Sequence, residues 1–222
     1  MNDTNAHDTN ARDTNPHDTS VSRISELLAV VAERALPVVQ GVGDDQLGAP
    51  TPCAAYDVHA LLDHLFQVVV NFQALAAKRD ADFGAPPEHL AGEWRERFAV
   101  ETARLIAAWE APGAEEGTAG ALGLPARTVG SMVLGDLALH AWDLARATGQ
   151  PYEPAAAVVE TLAEGWAALA PMGREAGVFG EPVAVAADAP PFDALLGLTG
   201  RDPEWAPGRG AGGGAGGGAG RP

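Results

Sequence analysis

The stretch ARTVGSMVLGDLALHAWDLARATG, residues 126–149, decides how this chain is read. Val129, Val133, Leu137 and Leu144 recur at intervals of four and seven, which marks one face of an α-helix. Gly149 is the residue without a Cβ that helix C-termini favour. On the same face Asp136 and His140 stand four residues apart, stacked one turn from each other. An acid and an imidazole interrupting an apolar stripe carry the information, because a carboxylate pointing into a core is costly unless it is paired or bound to a metal ion.

Working outward, four further segments show the same periodicity. The first spans about 22–39, with Ile24, Leu27, Leu28, Val31 and Ala35 on its stripe and Ser22 or Ser20 as its cap. The second starts at Asp57, a good N-cap, and runs to about Arg79 along Val58, Leu61, Leu62, Leu65, Val69, Phe72 and Leu75. The third covers about 88–110 and stops at Ala111-Pro112-Gly113. The fifth, after the quoted stretch, covers about 154–170. EPVAVAA, residues 181–187, reads as a short strand, and PPFDALLGLTG as a short final helix. Long helices with few strands predict an all-α, antiparallel four-helix bundle with an added helix and a short irregular C-terminal segment.

The ends read differently. Residues 1–19 repeat Asp-Thr-Asn with almost no apolar side chain, so they predict a disordered arm. Residues 207–222 read as a flexible glycine-rich tail. The foldable domain is therefore 20–206, long enough to bury a sizeable core.

With 14 Lys+Arg against 30 Asp+Glu, the formal charge is −16. Such a surface repels phosphate backbones and anionic membranes, so neither nucleic acid nor membrane is an expected partner. No apolar run has the length of a transmembrane helix, and the N-terminal residues lack the basic-then-apolar layout of a signal peptide. The single cysteine, Cys53, forms no intrachain disulfide, and a cytoplasmic location is the expectation. The chain is expected to be a monomer or a homodimer.

His64 lies at the edge of the second helix's stripe, where it would face the Asp136–His140 pair across the bundle. Two histidines and one carboxylate would leave coordination positions open, as catalytic sites do. That donor set suits Zn2+ and also Ni2+, Fe2+ or Mn2+. The plainer reading is that Asp136 and His140 form only an i, i+4 hydrogen bond and that His64 is an edge histidine. His7 and His17 fall in the arm; His59 and His89 read as surface or pocket-mouth residues. Cys53, just before a helix start, is a candidate nucleophile or a buried small apolar residue. Asp143 and Arg146 would orient ligands or pair with other helices. Trp94, Trp109 and Trp142 read as packing. The sequence has no phosphate-binding glycine loop, G-x-S-x-G elbow, paired C-x-x-C or H-E-x-x-H.

Two stretches carry a resemblance. TPCAAYDVHALLDHLFQ, residues 51–67, and GDLALHAWDLARATGQP, residues 135–151, are similar to the PTPC-x-x-W-x-V-x-x-L-x-x-H-L and G-D-L-x-x-H-x-W-D-L-A-R-A-T-G segments of the DinB-like superfamily. The branch resembled is the actinobacterial metal-binding one, related to the N-terminal domain of mycothiol-dependent maleylpyruvate isomerase. PVAVAADAPPFDALLGLTGRDPEW, residues 182–205, resembles that branch's tail. The resemblance implies a four-helix bundle and a divalent metal, usually zinc, held by His64, Asp136 and His140. Tyr56 stands where the family usually has Trp, and Asp136 where relatives place Glu or His.

The leading expectation is a metal-dependent enzyme that activates a low-molecular-weight thiol, mycothiol or a similar one. The metal would favour the thiolate, which attacks a small electrophile in isomerisation or S-transfer. Two alternatives remain open at this stage: a hydrolase using metal-bound hydroxide, and a non-catalytic, metal-stabilised binding or regulatory module.

Overall fold

The computed structural model describes residues 22–84, 89–120 and 123–208. The 1–19 arm and all but the first two residues of the 207–222 tail lie outside the described residues. Six α-helices follow in order: α1 Ile24–Gln40, α2 Val58–Ala76, α3 Trp94–Glu110, α4 Ala126–Thr148, α5 Ala156–Glu175 and α6 Pro191–Leu198. A two-residue antiparallel pair, β1 Thr118–Ala119 with β2 Leu124–Pro125, closes the loop before α4.

Helices α1 and α2 each pack against both α3 and α4, which makes a four-helix bundle with α1 and α2 on one diagonal. Helix α5 lies against the outer side of α4, and α6 against α5. The α2 stripe Val58, Leu61, Leu62, Leu65, Val69, Phe72 and Leu75 is buried throughout, as its spacing requires. Two glycines of α4 set how closely neighbours approach. A Cβ on Gly130 would lie 2.9 Å from Ile24 and from the Trp109 ring, and one on Gly135 would lie 1.8 Å from the Trp166 ring. Small residues here let α1, α3 and α5 close onto α4, which brings Trp166 beside Asp136.

Local chemistry fixes the helix ends. Asp57 caps α2, its Oδ1 accepting the N–H of Ala60 at 2.8 Å. Gly149 ends α4 with φ of +71°, the left-handed conformation a glycine tolerates. Several expectations are corrected. The α1 N-cap is Arg23 rather than Ser22 or Ser20; its N–H is accepted by Glu26, and that of Ile24 by Glu115. Helix α3 begins at Trp94 instead of 88, with Gly92 just upstream at φ +59°. Helix α5 continues through Pro171, which lies on an exposed turn, to Glu175, although its buried stripe ends at Ala170. The 181–187 segment is not a strand: it has no strand partner among the described residues and lies against α6, with the Val183 N–H donating to the Gly197 carbonyl at 2.9 Å.

Candidate metal centre

The residues that break the stripes of α2 and α4 meet inside the bundle. His64 from α2 and Asp136 and His140 from α4 each present one ligand atom, and the three atoms lie within 4.8 Å of one another. The Nε2 of His140 is 4.0 Å from Oδ1 of Asp136. Donors at ~2.1 Å from a shared ion sit at most ~4.2 Å apart, so this separation is compatible with a common ion. The two imidazole rings stand edge to face with centroids 5.1 Å apart.

Behind His140 is a built support. Its Nδ1 lies 2.9 Å from Oδ2 of Asp143, a residue with no exposed surface. Hydrogen bonding to that carboxylate places the neutral ring's proton on Nδ1 and leaves Nε2 as the lone-pair atom, on the side of Asp136. Asp143 is in turn gripped by Arg201, only 6 % exposed: Nε donates to Oδ1 at 3.0 Å and Nη2 to Oδ2 at 2.8 Å. Arg201 Nη1 donates to Thr199 Oγ1 at 3.2 Å. Burial raises the Asp143 carboxyl, but the guanidinium and the His140 bond outweigh it and hold the group below the usual carboxylate range.

The donors themselves are tuned toward a cation. Burial, with the neighbouring His140 and Arg201 charges, lowers His64 from 6.5 to about 4, so it is a neutral ligand at physiological pH. Burial raises Asp136, and His140 and Arg201 only partly offset it. Among the described residues no donor reaches hydrogen-bonding distance of Asp136. A carboxylate with its side chain 24 % exposed and no close cation is a group that a divalent ion would neutralise. The N2O donor set, the oriented His140 and the unpartnered Asp136 together fit a metal.

The donors open into a cavity of about 330 Å3 walled by apolar side chains, among them Val68, Phe72, Leu139 and Phe179. Tyr56 stacks on His64 with centroids 5.1 Å apart and planes 16° from parallel, and so forms an aromatic wall beside that donor. Cys53 also lines the cavity, and its Sγ is within 4.8 Å of donor atoms of His140 and Asp143. That second cluster is a poorer cation site, because Arg201 already occupies the Asp143 oxygens. Burial pushes the Cys53 thiol up, which disfavours the nucleophilic thiolate.

The other candidates lie elsewhere. His59 is exposed beside Asp63, with Nδ1 3.5 Å from Oδ2, and His89 stacks on Phe66 and lies upstream of α3 instead of beginning it. Arg146 donates through Nε to the Trp205 carbonyl at 3.0 Å, tying α4 to the C-terminal segment. Trp94 and Trp109 are core residues. Trp142 is also buried, at the head of a surface pocket away from the donors. His7 and His17 lie outside the described residues. Sequence reasoning passed over Arg201. The available signal was that Arg201 is the only basic residue between Arg174 and Arg209, inside a segment already matched to a family tail.

A helical bundle presenting two histidines and an aspartate to an internal cavity defines a DinB-like domain with residues able to ligate a metal. The chain belongs to the mycothiol maleylpyruvate isomerase N-terminal domain family, whose model matches residues 28–145. That span contains His64, Asp136, His140 and Asp143, and Arg201 lies beyond it. The chain is 33 % identical over 172 residues to two uncharacterized proteins of Mycobacterium tuberculosis, MT0763 and Rv0738, covering 74 % of this chain and 90 % of each relative. No solved structure gives a significant match. Among the described residues no helix is long and apolar enough to cross a membrane.

Proposed function

We propose that this chain is a metal-dependent enzyme that activates a low-molecular-weight thiol, mycothiol or a close analogue, for isomerisation or S-transfer on a small electrophile. The observation that carries the reading is the convergence of His64, Asp136 and His140 on one cavity, with His140 held from behind by the buried Asp143–Arg201 pair. Those three side chains would hold a divalent ion, zinc by the donor set or else Ni2+, Fe2+ or Mn2+. When bound, the ion would supply Lewis acidity and lower the pKa of a thiol admitted beside it.

The chain's own residues do the rest. Asp143 fixes the His140 tautomer. Tyr56 limits the swing of His64. Val68, Phe72, Leu139 and Phe179 exclude water from the cavity, which strengthens electrostatic interactions inside it.

The test pairs metal analysis with a thiol assay. The purified protein is expected to carry about one equivalent of divalent metal, and His140→Ala very little. With metal present, free thiol should disappear in the presence of an electrophile or, for an isomerase, catalyse its rearrangement without net loss. Turnover with no thiol would point to hydrolysis. Metal without either activity would point to a binding module. Equal metal in the parent and in His140→Ala would remove the site.

A further inference from the structure

At about 100° per residue, Trp142 and Ala145 fall on the face of α4 opposite Asp136 and His140. That face borders a surface cavity of about 580 Å3 whose wall also holds Arg34, Arg146, Tyr152 and Glu153. A neighbouring cavity of about 450 Å3 shares Trp142, Tyr152 and Glu153 and runs on to Phe192, Glu160 and Asp193.

The two arginines are held in place but not neutralised. Arg34 Nη1 donates to the Glu153 carbonyl at 2.8 Å, and Arg146 Nε donates to the Trp205 carbonyl at 3.0 Å. The Arg146 guanidinium also lies 5.8 Å from the centroid of the Trp142 ring. Neither arginine has a carboxylate partner among the described residues, in a chain with 30 Asp+Glu to 14 Lys+Arg. A neutral carbonyl orients a guanidinium and leaves its charge and its remaining N–H donors for an anion. Trp142 adds one more donor. It is 7 % exposed, and its Nε1–H has no acceptor among the described residues. Unlike the Nε1 atoms of Trp109 and Trp166, that atom is not sealed from solvent, and the ring borders both cavities.

The charges limit the ligand. Arg34 and Arg146 against Glu153 leave the first cavity a single net positive charge, which matches one carboxylate. Glu160 and Asp193 join Glu153 around the second cavity, so a second anionic group placed there would be repelled. Tyr152 and Phe192 offer flat apolar surface in that same wall.

We propose that the paired cavities bind a monoanionic carboxylate with a flat, uncharged apolar body, its carboxylate on Arg34 and Arg146 and its body against Trp142, Tyr152 and Phe192. This binding does not rest on the metal-dependent function proposed above.

Isothermal titration of the full chain, metal-loaded and chelated, tests this with 2-naphthoate, the neutral 2-naphthamide and the dianionic naphthalene-2,6-dicarboxylate. Naphthoate should bind both forms alike, and the amide should bind about tenfold more weakly or less. Arg34→Gln and Arg146→Gln should each weaken naphthoate about fivefold, and Glu153→Gln should tighten it about twofold. Arg146 also ties down Trp205, so Arg34→Gln decides if thermal melting shows that Arg146→Gln does not fold. Metal content should stay at the parent level in the folded variants. No naphthoate binding, binding lost on chelation, amide or dicarboxylate binding as tightly as naphthoate, or affinity unchanged in either folded arginine variant would overturn the proposal. A chain that takes no metal yet binds naphthoate sinks the function proposed above and leaves this inference standing. A metal-loaded chain that ignores naphthoate does the reverse.

Discussion

Replacing Arg201 by Met removes a buried guanidinium and keeps most of its apolar volume. In the parent, Arg201 Nε lies 3.0 and 3.1 Å from the two Asp143 oxygens and Nη2 lies 2.8 Å from Oδ2, all with almost no solvent contact. The variant leaves a fully buried carboxylate with one remaining partner, His140 Nδ1. Breaking one side of such a pair costs about 3–5 kcal/mol, which for a domain of this size lowers the melting temperature by roughly 10 °C. The double substitution Asp143→Leu/Arg201→Met removes both charges together and should recover most of that loss, because a buried ion pair and an apolar replacement are often nearly equal in stability. It should not recover metal binding. Without Asp143 nothing fixes the His140 tautomer, and loss of such a partner weakens metal affinity about 10–100-fold. Thermal denaturation of the chelated proteins and competition titration with a chromophoric chelator separate the two effects. If the double variant binds metal as tightly as the parent, the pair is structural only and its proposed role in orienting His140 fails.

Three further outcomes follow from the same geometry. In chelated protein, His64 is depressed from 6.5 to about 4 in the fold, so between those values the unfolded chain binds a proton that the folded chain refuses. Stability should therefore fall as pH drops through that window, by about 3 kcal/mol in total, and a urea series on His64→Leu should show the slope removed. Gly135→Ala would put a methyl group 1.8 Å from the Trp166 ring, so the indole must move, at a cost of about 1–3 kcal/mol in a urea melt; an unchanged midpoint would mean that α5 does not seat on α4 as described. Tyr56→Ala removes the face against His64 and should weaken metal binding while leaving the bundle's melting temperature within a few degrees; unaltered affinity would reduce the stack to a packing contact.

The bundle was legible because its signals are local. The α2 stripe, the Asp57 cap and the Gly149 terminator each act within a turn or two, and each falls where the spacing requires. The misplacements are tertiary. Val183 and Val185 have strand composition, but a strand needs a partner, and α6 is what the segment meets. Helix α5 runs on past Pro171 to Glu175, where Gly173 abuts the Phe179 ring and Arg174 reaches the Leu198 carbonyl, contacts with the later chain that periodicity does not show.

The candidate site divides along the same line. Asp136 and His140 share a helix face, so spacing alone put them together, and His64 followed from where its own stripe must point. Asp143 was visible as a neighbour but ambiguous: one turn from His140, it would serve equally well to orient a ligand or to pair with another helix. What resolves it is Arg201, 58 positions away, delivered by the turn after α6. A charged pair of that separation leaves no periodic trace, since Arg201 lies outside any helix. The constraint is nonetheless strict. A carboxylate with no exposed surface near the C-terminal end of α4 is tolerable only with a cation against it. His140 Nδ1 gives it one hydrogen-bond partner, and the full positive charge against it is the Arg201 guanidinium. That arginine comes from outside the four-helix core. The C-terminal segment, which contributes little to the bundle itself, is in this way a structural condition for the donor geometry inside it.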